Sequence, residues 1–148
     1  MDLKDTVIIG IQPRGVYLSD QVVDELKKIV SPASILYGKL DITFYRDDVR
    51  KEIRLPSKMD IPFSLENKKV VIIDDVLYTG RTIRAALDAL LDFGRASKVE
   101  LCVLIDRRFS RELPIHPDYV GRAIDTFVSQ KVQVRWKKRD GFEGVVLV

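Results

Sequence analysis

The stretch Val70-Val71-Ile72-Ile73-Asp74-Asp75-Val76-Leu77-Tyr78-Thr79-Gly80-Arg81-Thr82 decides how the rest of the chain is read. Its leading β-branched residues form a continuous apolar run, the mark of a buried strand, and Asp74 and Asp75 close it. Beyond Thr82, Ile83, Ala86, Leu87, Leu90 and Leu91 recur at helical spacing as far as Gly94, which stands where a left-handed C-cap is expected. A strand that feeds a helix through a short loop sets that loop at the strand's carboxyl end, where open α/β sheets bind ligands. The helix begins near Thr82, so the loop's N–H groups lie at a positive helix end and are placed to hold a phosphate. Gly80 allows close backbone approach, Thr79 and Thr82 add hydroxyls, and Arg81 adds charge. Paired carboxylates just before such a site suit ribose hydroxyls and a hydrated Mg²⁺, which takes few protein ligands. An acidic pair or a Thr-Gly turn alone reads as ordinary surface structure; the combination points to a phosphorylated sugar.

Working outward, residues 6–11 form a second apolar run, broken by Gln12-Pro13-Arg14-Gly15. Val22, Val23, Leu26, Ile29 and Val30 then follow helical spacing up to Ser31-Pro32. Leu40, Ile42 and Phe44 alternate with polar neighbours and predict a half-buried strand. From Arg46 to Leu65 the pattern dissolves into charges with Pro56 and Pro62, which predicts a mobile active-site loop or a disordered segment. Residues 99–105 read as another buried strand, and residues 124–128, 131–136 and 145–148 as shorter ones. The order strand, helix, strand, strand, helix, strand predicts one α/β domain over residues 1–148, with a largely parallel central sheet flanked by helices.

Bulk properties narrow the function classes only a little. At 148 residues the chain can bury roughly two-thirds of its unfolded surface. A net charge of +3 suits a phosphate-rich ligand or a nucleic acid without singling out either. Cys102 is the only cysteine, so no intrachain disulfide forms, and its apolar surroundings predict a buried, inert thiol. His116, between Pro114 and Pro117, reads as a surface-turn residue. No apolar stretch reaches membrane-spanning length and no signal-peptide pattern is present, so no membrane partner is expected and a cytoplasmic location is. Neither Gly-x-x-x-x-Gly-Lys nor Gly-x-Gly-x-x-Gly occurs.

The string from Val70 to Thr82 resembles the phosphoribosyl pyrophosphate (PRPP) signature of type I phosphoribosyltransferases. Gly10-Ile11-Gln12-Pro13-Arg14-Gly15, residues 41–48, Asp106-Arg107 and Arg111-Glu112-Leu113-Pro114-Ile115 extend the likeness. Together they resemble one subfamily, the bifunctional pyrimidine-operon attenuation regulators and uracil phosphoribosyltransferases. Members of that subfamily begin with an amphipathic helix before the first strand, and this sequence starts at Met1-Asp2-Leu3-Lys4, so that helix is expected to be absent.

The resemblance implies a uracil phosphoribosyltransferase that makes UMP and pyrophosphate from uracil and PRPP with Mg²⁺. It implies that Asp74 and Asp75 hold the ribose hydroxyls, with the metal reached through those hydroxyls or through water. Val76, Leu77, Tyr78, Thr79, Gly80, Arg81 and Thr82 complete the nucleotide-binding segment, the last five around the 5′-phosphate. Pro13, Arg14 and Gly15 match the pyrophosphate loop, although family members often have Thr where this chain has Pro13. Proline removes one N–H there and fixes one φ. Arg46 matches a second pyrophosphate-side arginine, and Asp106, Arg107 and Val132 fall where the base is framed. Hypoxanthine enzymes of this class carry a carboxylate at the position of Tyr78, which argues against a purine substrate.

The residues are compatible with several functions. The subfamily also binds pyrimidine-operon leader RNA in response to UMP, and Arg107, Arg108, Arg111, Arg122, Lys131 and Arg135 form either a basic face for it or ordinary solvated charge. A regulator with little catalysis, an enzyme for another base and a non-catalytic PRPP sensor are the alternatives. The resemblance further implies a homo-oligomer, a dimer or larger.

Overall fold

The computed structural model describes residues 5–43 and 61–148. Within them the chain runs β1 (Thr6–Gln12), α1 (Gly15–Leu26), β2 (Leu36–Asp41), β3 (Lys69–Leu77) and α2 (Arg81–Leu90). It continues through β4 (Lys98–Arg108), β5 (Tyr119–Asp125), β6 (Val132–Arg135), the single turn α3 (Lys137–Asp140) and β7 (Gly144–Leu147). The first five strands form one sheet in the order β2-β1-β3-β4-β5, and β6 pairs with β7 as a separate hairpin. Every pairing in the large sheet is parallel, with Val7 opposite both Leu36 and Val70, and Ile72 opposite Leu101.

The apolar runs form strands because both faces of the sheet are covered. Val7, Ile9, Ile11, Val70, Ile72, Leu101 and Val103 pack with Ile83, Ala86, Ala89 and Leu90 of α2. Ile8, Val71 and Ile73 point the other way and pack with Leu18, Val22, Val23 and Leu26 of α1. Since α1 and α2 lie on opposite faces, the winding direction reverses between β1 and β3. This reversal opens a crevice at the carboxyl ends of those two strands, the usual ligand position in a doubly wound sheet.

Several sequence expectations shift. The second strand covers Leu36–Asp41, earlier than the Leu40–Phe44 alternation indicates. Parallel pairing with β1 sets its register, so Gly38 is buried in it without an apolar side chain. Helix α1 starts at Gly15, well before Val22, and ends at Leu26, which leaves Ile29 78% exposed. In α2 the inward residues include Ala85 and Ala89, whereas Leu87 and Leu91 are exposed; small side chains let the helix lie close to the sheet. Gly94 closes a 3₁₀ turn over Leu91–Phe93 at φ 126° and ψ 172°, outside the left-handed helical well.

The fifth strand is Tyr119–Asp125, and Phe127 and Val128 lie beyond it, exposed. It is an edge strand bonded only to β4 within its sheet, so no apolar run is needed to form it. Most of the expected loop at 46–65 lies outside the described residues, but its last part belongs to the core: Ile61 is 7% exposed and Leu65 is fully buried. The Leu65 N–H donates to the Phe93 carbonyl at 2.8 Å.

Candidate active site

Strand β3 carries Asp74 and Asp75 to the crevice but does not close at them as expected: pairing with β4 extends it through Val76 to the buried Leu77. Each is 7% exposed. Asp74 Oδ1 accepts the Asp75 N–H at 2.9 Å, and Asp75 Oδ1 accepts the Val76 N–H at 2.8 Å. Among the described residues no lysine or arginine pairs with either carboxylate. Burial, reinforced by the neighbouring Asp75, therefore pushes the Asp74 carboxyl well above the usual carboxylate range. With no counter-charge among the described residues, this buried acidic pair is suited to a hydroxyl donor or a cation. No cluster of three or more His, Cys, Asp or Glu occurs among the described residues. A divalent ion here would draw most of its shell from water and ligand oxygens, the mode that Mg²⁺ favours.

The β1–α1 turn forms the opposite wall. The Gln12–Pro13 peptide is cis, Pro13 is exposed, and Arg14 is the N-cap residue of α1. Gly15 is pressed against β3: a Cβ there would lie 2.7 Å from the Ile73 carbonyl oxygen and 3.0 Å from Asp74 Oδ1. Only glycine lets this helix start so close to the carboxylate pair. Arg14 Nη1 donates to the Val134 carbonyl at 3.2 Å, which ties the turn to the β6–β7 hairpin.

The loop from Leu77 into α2 forms the third side. Gly80 caps the helix at φ 97°, a left-handed conformation. The Thr79 hydroxyl accepts the Arg81 N–H at 3.2 Å, and the helical ladder begins when Arg84 N–H reaches the Gly80 carbonyl at 3.0 Å. The amides of Arg81, Thr82 and Ile83 thus precede the first helical bond, as at any anion-binding helix start. The Arg81 side chain turns outward to Glu112 at 2.6 Å, so its charge is directed away from this helix start.

Asp106 and Arg107 end β4 with their side chains already engaged. Asp106 is ion-paired with Arg111. Arg107 is 5% exposed, lies 3.9 Å from the centre of the Tyr78 ring, and donates to Thr126 Oγ1 and the carbonyls of Phe127 and Gln130. Val132 packs in the cluster of Ile105, Val134 and Trp136, which also includes Val76. Trp136 stacks on Tyr17 of α1 with ring centres 6.2 Å apart. The hairpin is thereby held against both β3 and α1.

Arg46 lies outside the described residues. The structure brings together Arg14, Gly15, Asp74 and Asp75, with the loop from Val76 to Thr82 beside them. The six cations that the sequence left as either a basic face or ordinary charge differ in setting: Arg107 is buried, Arg111 is half-buried in internal bonds, Arg108 pairs with Asp125 at 2.9 Å and Arg135 with Asp140 at 3.8 Å. Of the six cations, Arg108, Arg122 and Lys131 are exposed, and Arg122 and Lys131 carry no ion pair among the described residues. Sequence reasoning missed the internal role of Arg111, whose only signal was its place in Arg111-Glu112-Leu113-Pro114-Ile115, and the exposed cations of α3, Lys137, Lys138 and Arg139.

Cys102 is half-buried, and burial pushes its thiol pKa up, so it is not a ready thiolate. His116 is exposed in the loop between β4 and β5. Among the described residues no helix is long and apolar enough to cross a membrane.

Comparison with known proteins gives the same fold and a closer kinship. The phosphoribosyl transferase domain family matches residues 1–139. The bifunctional protein pyrR of Enterococcus faecalis (strain ATCC 47077 / OG1RF) is 46% identical over 147 residues, spanning 98% of this chain and 81% of that protein. The bifunctional protein PyrR of Mannheimia succiniciproducens is 49% identical over 152 residues, spanning 99% and 84%. Among solved structures, a hypoxanthine phosphoribosyltransferase from Staphylococcus aureus superposes with a TM-score of 0.61 at 27% identity, over 84% of this chain and 65% of that one. The hypoxanthine phosphoribosyltransferase of Trypanosoma cruzi gives a TM-score of 0.70 at 18% identity, over 96% and 75%, a likeness of fold.

Proposed function

The chain belongs to the phosphoribosyl transferase domain family, and from that premise we propose that it converts uracil and PRPP to UMP and pyrophosphate. The observation that carries this reading is a buried carboxylate pair, without a basic partner among the described residues, that lies against the α1 N-terminus and one short loop before that of α2. PRPP has the matching layout: an anion at each end and two hydroxyls between. Asp74 and Asp75 bind the ribose hydroxyls, the segment Tyr78 to Thr82 binds the 5′-phosphate, and the Pro13-Arg14-Gly15 turn faces the pyrophosphate. Arg46 is assigned to the pyrophosphate side as well. The backbone around Asp106 and Arg107, together with Val132, bounds the base.

In the reaction the C1′–O bond to pyrophosphate breaks, a bond from uracil N1 to C1′ forms, and the N1 proton is lost. The developing positive charge at C1′ and the negative charge on the leaving group set what the protein must do. Arg14 and the α1 terminus stabilise the departing pyrophosphate, and Asp74 and Asp75 fix the ribose in the reactive orientation. Mg²⁺, when bound, supplies further neutralisation of the pyrophosphate oxygens. Tyr78, beneath the Arg107 guanidinium, stands where a purine enzyme of this class has its carboxylate, which favours uracil over hypoxanthine.

Uracil-dependent pyrophosphate release tests the reading. Asp74→Asn with Asp75→Asn should lower it by roughly a thousandfold or more while the chain stays folded. Undiminished turnover in that variant would refute the assigned site.

A second activity, UMP-responsive binding of pyrimidine-operon leader RNA, is supported by the relatives' designation as bifunctional and by Arg122, Lys131, Lys137, Lys138 and Arg139, all exposed. Filter binding to such a leader, with and without UMP and at two salt concentrations, should show affinity that rises with UMP and falls with salt. Absent or salt-insensitive binding would leave the enzyme reading alone. Self-association is supported by the apolar surface of Val145, Val146, Leu147 and Val148, each at least 37% exposed.

A further inference from the structure

The loop joining β4 to β5 grips the phosphate-binding segment residue by residue. Arg111 Nη1 donates to the Tyr78 carbonyl at 2.7 Å and to the Arg107 carbonyl at 3.2 Å. Its Nε donates to the Ile115 carbonyl at 2.7 Å, and its remaining nitrogen is ion-paired with Asp106. The N–H groups of Glu112 and Leu113 both donate to the Thr79 carbonyl, at 2.9 and 3.2 Å. Leu113 and Ile115 close the space beside Gly80, where a Cβ would lie 3.3 and 3.4 Å from their atoms. Tyr78, Thr79 and Gly80 are therefore all set from one side.

Peptide planarity turns this grip into a statement about the ligand side. In a trans peptide the carbonyl of one residue and the N–H of the next point in opposite directions. A Tyr78 carbonyl fixed on Arg111 aims the Thr79 N–H away from the β4–β5 loop, and a Thr79 carbonyl fixed on Glu112 and Leu113 does the same for the Gly80 N–H. We infer that Arg111 is a positioning residue: its guanidinium orients the Thr79 amide, and with it the anion-binding backbone, toward the 5′-phosphate of PRPP. This inference rests on the proposed PRPP site. A planar fork with several donors is required, because lysine cannot reach three carbonyls and a carboxylate together.

The test compares Arg111→Lys with wild type in two measurements. The first is PRPP and uracil KM in the presence of Mg²⁺; the second is amide hydrogen exchange of Thr79 and Gly80 without ligand. The PRPP KM should rise by about tenfold or more, the expected scale for losing a charge-assisted bond. The uracil KM should stay within about twofold, and the two amides should exchange faster. Arg108→Lys, at the exposed ion pair with Asp125 and without a hydrogen bond to Tyr78 or Thr79, should change none of these. If Arg111→Lys does not fold, Asp106→Asn, which frees the guanidinium on one side, should show the same exchange and PRPP effects in weaker form.

Unchanged PRPP affinity and unchanged exchange in a folded variant would overturn the inference. An equal rise in both KM values would assign Arg111 a general structural role and overturn it too. If wild type itself fails to bind PRPP, the functional reading falls instead, and exchange at Thr79 and Gly80 still decides whether Arg111 sets the loop.

Discussion

Asp74 and Asp75 stand side by side, each nearly buried, with one oxygen of each committed to the next residue's amide. Folding holds Asp74 in this position at an electrostatic cost that a ligand's hydroxyls or cation can recover. The sign follows from linkage. Because its carboxyl is raised in the folded state, the native chain holds that proton more tightly than the unfolded chain. Stability therefore falls as pH rises from the unfolded value of about 3.9 through the raised one, and the loss is complete above it. Asp74→Asn keeps an oxygen to accept the Asp75 amide and removes the charge. It should raise the thermal midpoint of the ligand-free protein at pH 7.5, and the gain should vanish near pH 3.9. A midpoint that drops at pH 7.5 would mean that the charge is compensated in the folded protein. The adjacent acids, the glycines and the threonines are visible as a pattern because their chemistry depends on local order. Arg111 is not, because its role depends on carbonyls contributed by Tyr78, Arg107 and Ile115.

Helices α1 and α2 owe their usefulness to where they begin. The strands preceding them were legible because burial on both faces leaves an uninterrupted apolar run, as at 70–73. The helix limits were less so. The start of α1 at Gly15 is set by close contact with β3, which no periodicity reports, and its apolar spacing continues past Leu26 into Ile29, which is exposed. β5 begins at Tyr119, earlier than the apolar residues of 124–128 indicate, because an edge strand with exposed faces carries little hydrophobic signal. Gly15→Ala tests the element-level account. Its new methyl would meet the Ile73 carbonyl at 2.7 Å and force α1 away from the carboxylates. Denaturant unfolding should show a loss of about 1–3 kcal/mol, with weaker PRPP binding. Gly144→Ala, with nothing within 4 Å, should stay within about 0.5 kcal/mol of wild type. Equal behaviour of the two variants would show that the β1–α1 turn is not held as described.

At the scale of the whole molecule, the strand order β2-β1-β3-β4-β5 makes the site. Reversal of winding between β1 and β3 brings a turn from residues 13–15 beside carboxylates sixty positions later, and the β6–β7 hairpin docks on Arg14, Tyr17 and Val76 through Val134 and Trp136. An α/β domain with a parallel sheet could be read from the alternation of elements, whereas the hairpin's docking could not, since it depends on Trp136 reaching Tyr17 across the fold. In the proposed site a nucleoside phosphate occupies this crevice in one orientation, which a crystal structure of the protein with UMP would show. The phosphate should lie on the amides between Thr79 and Thr82, and the ribose hydroxyls about 3 Å from the Asp74 and Asp75 carboxylates. A UMP bound elsewhere, or one with its ribose turned away from both aspartates, would contradict it.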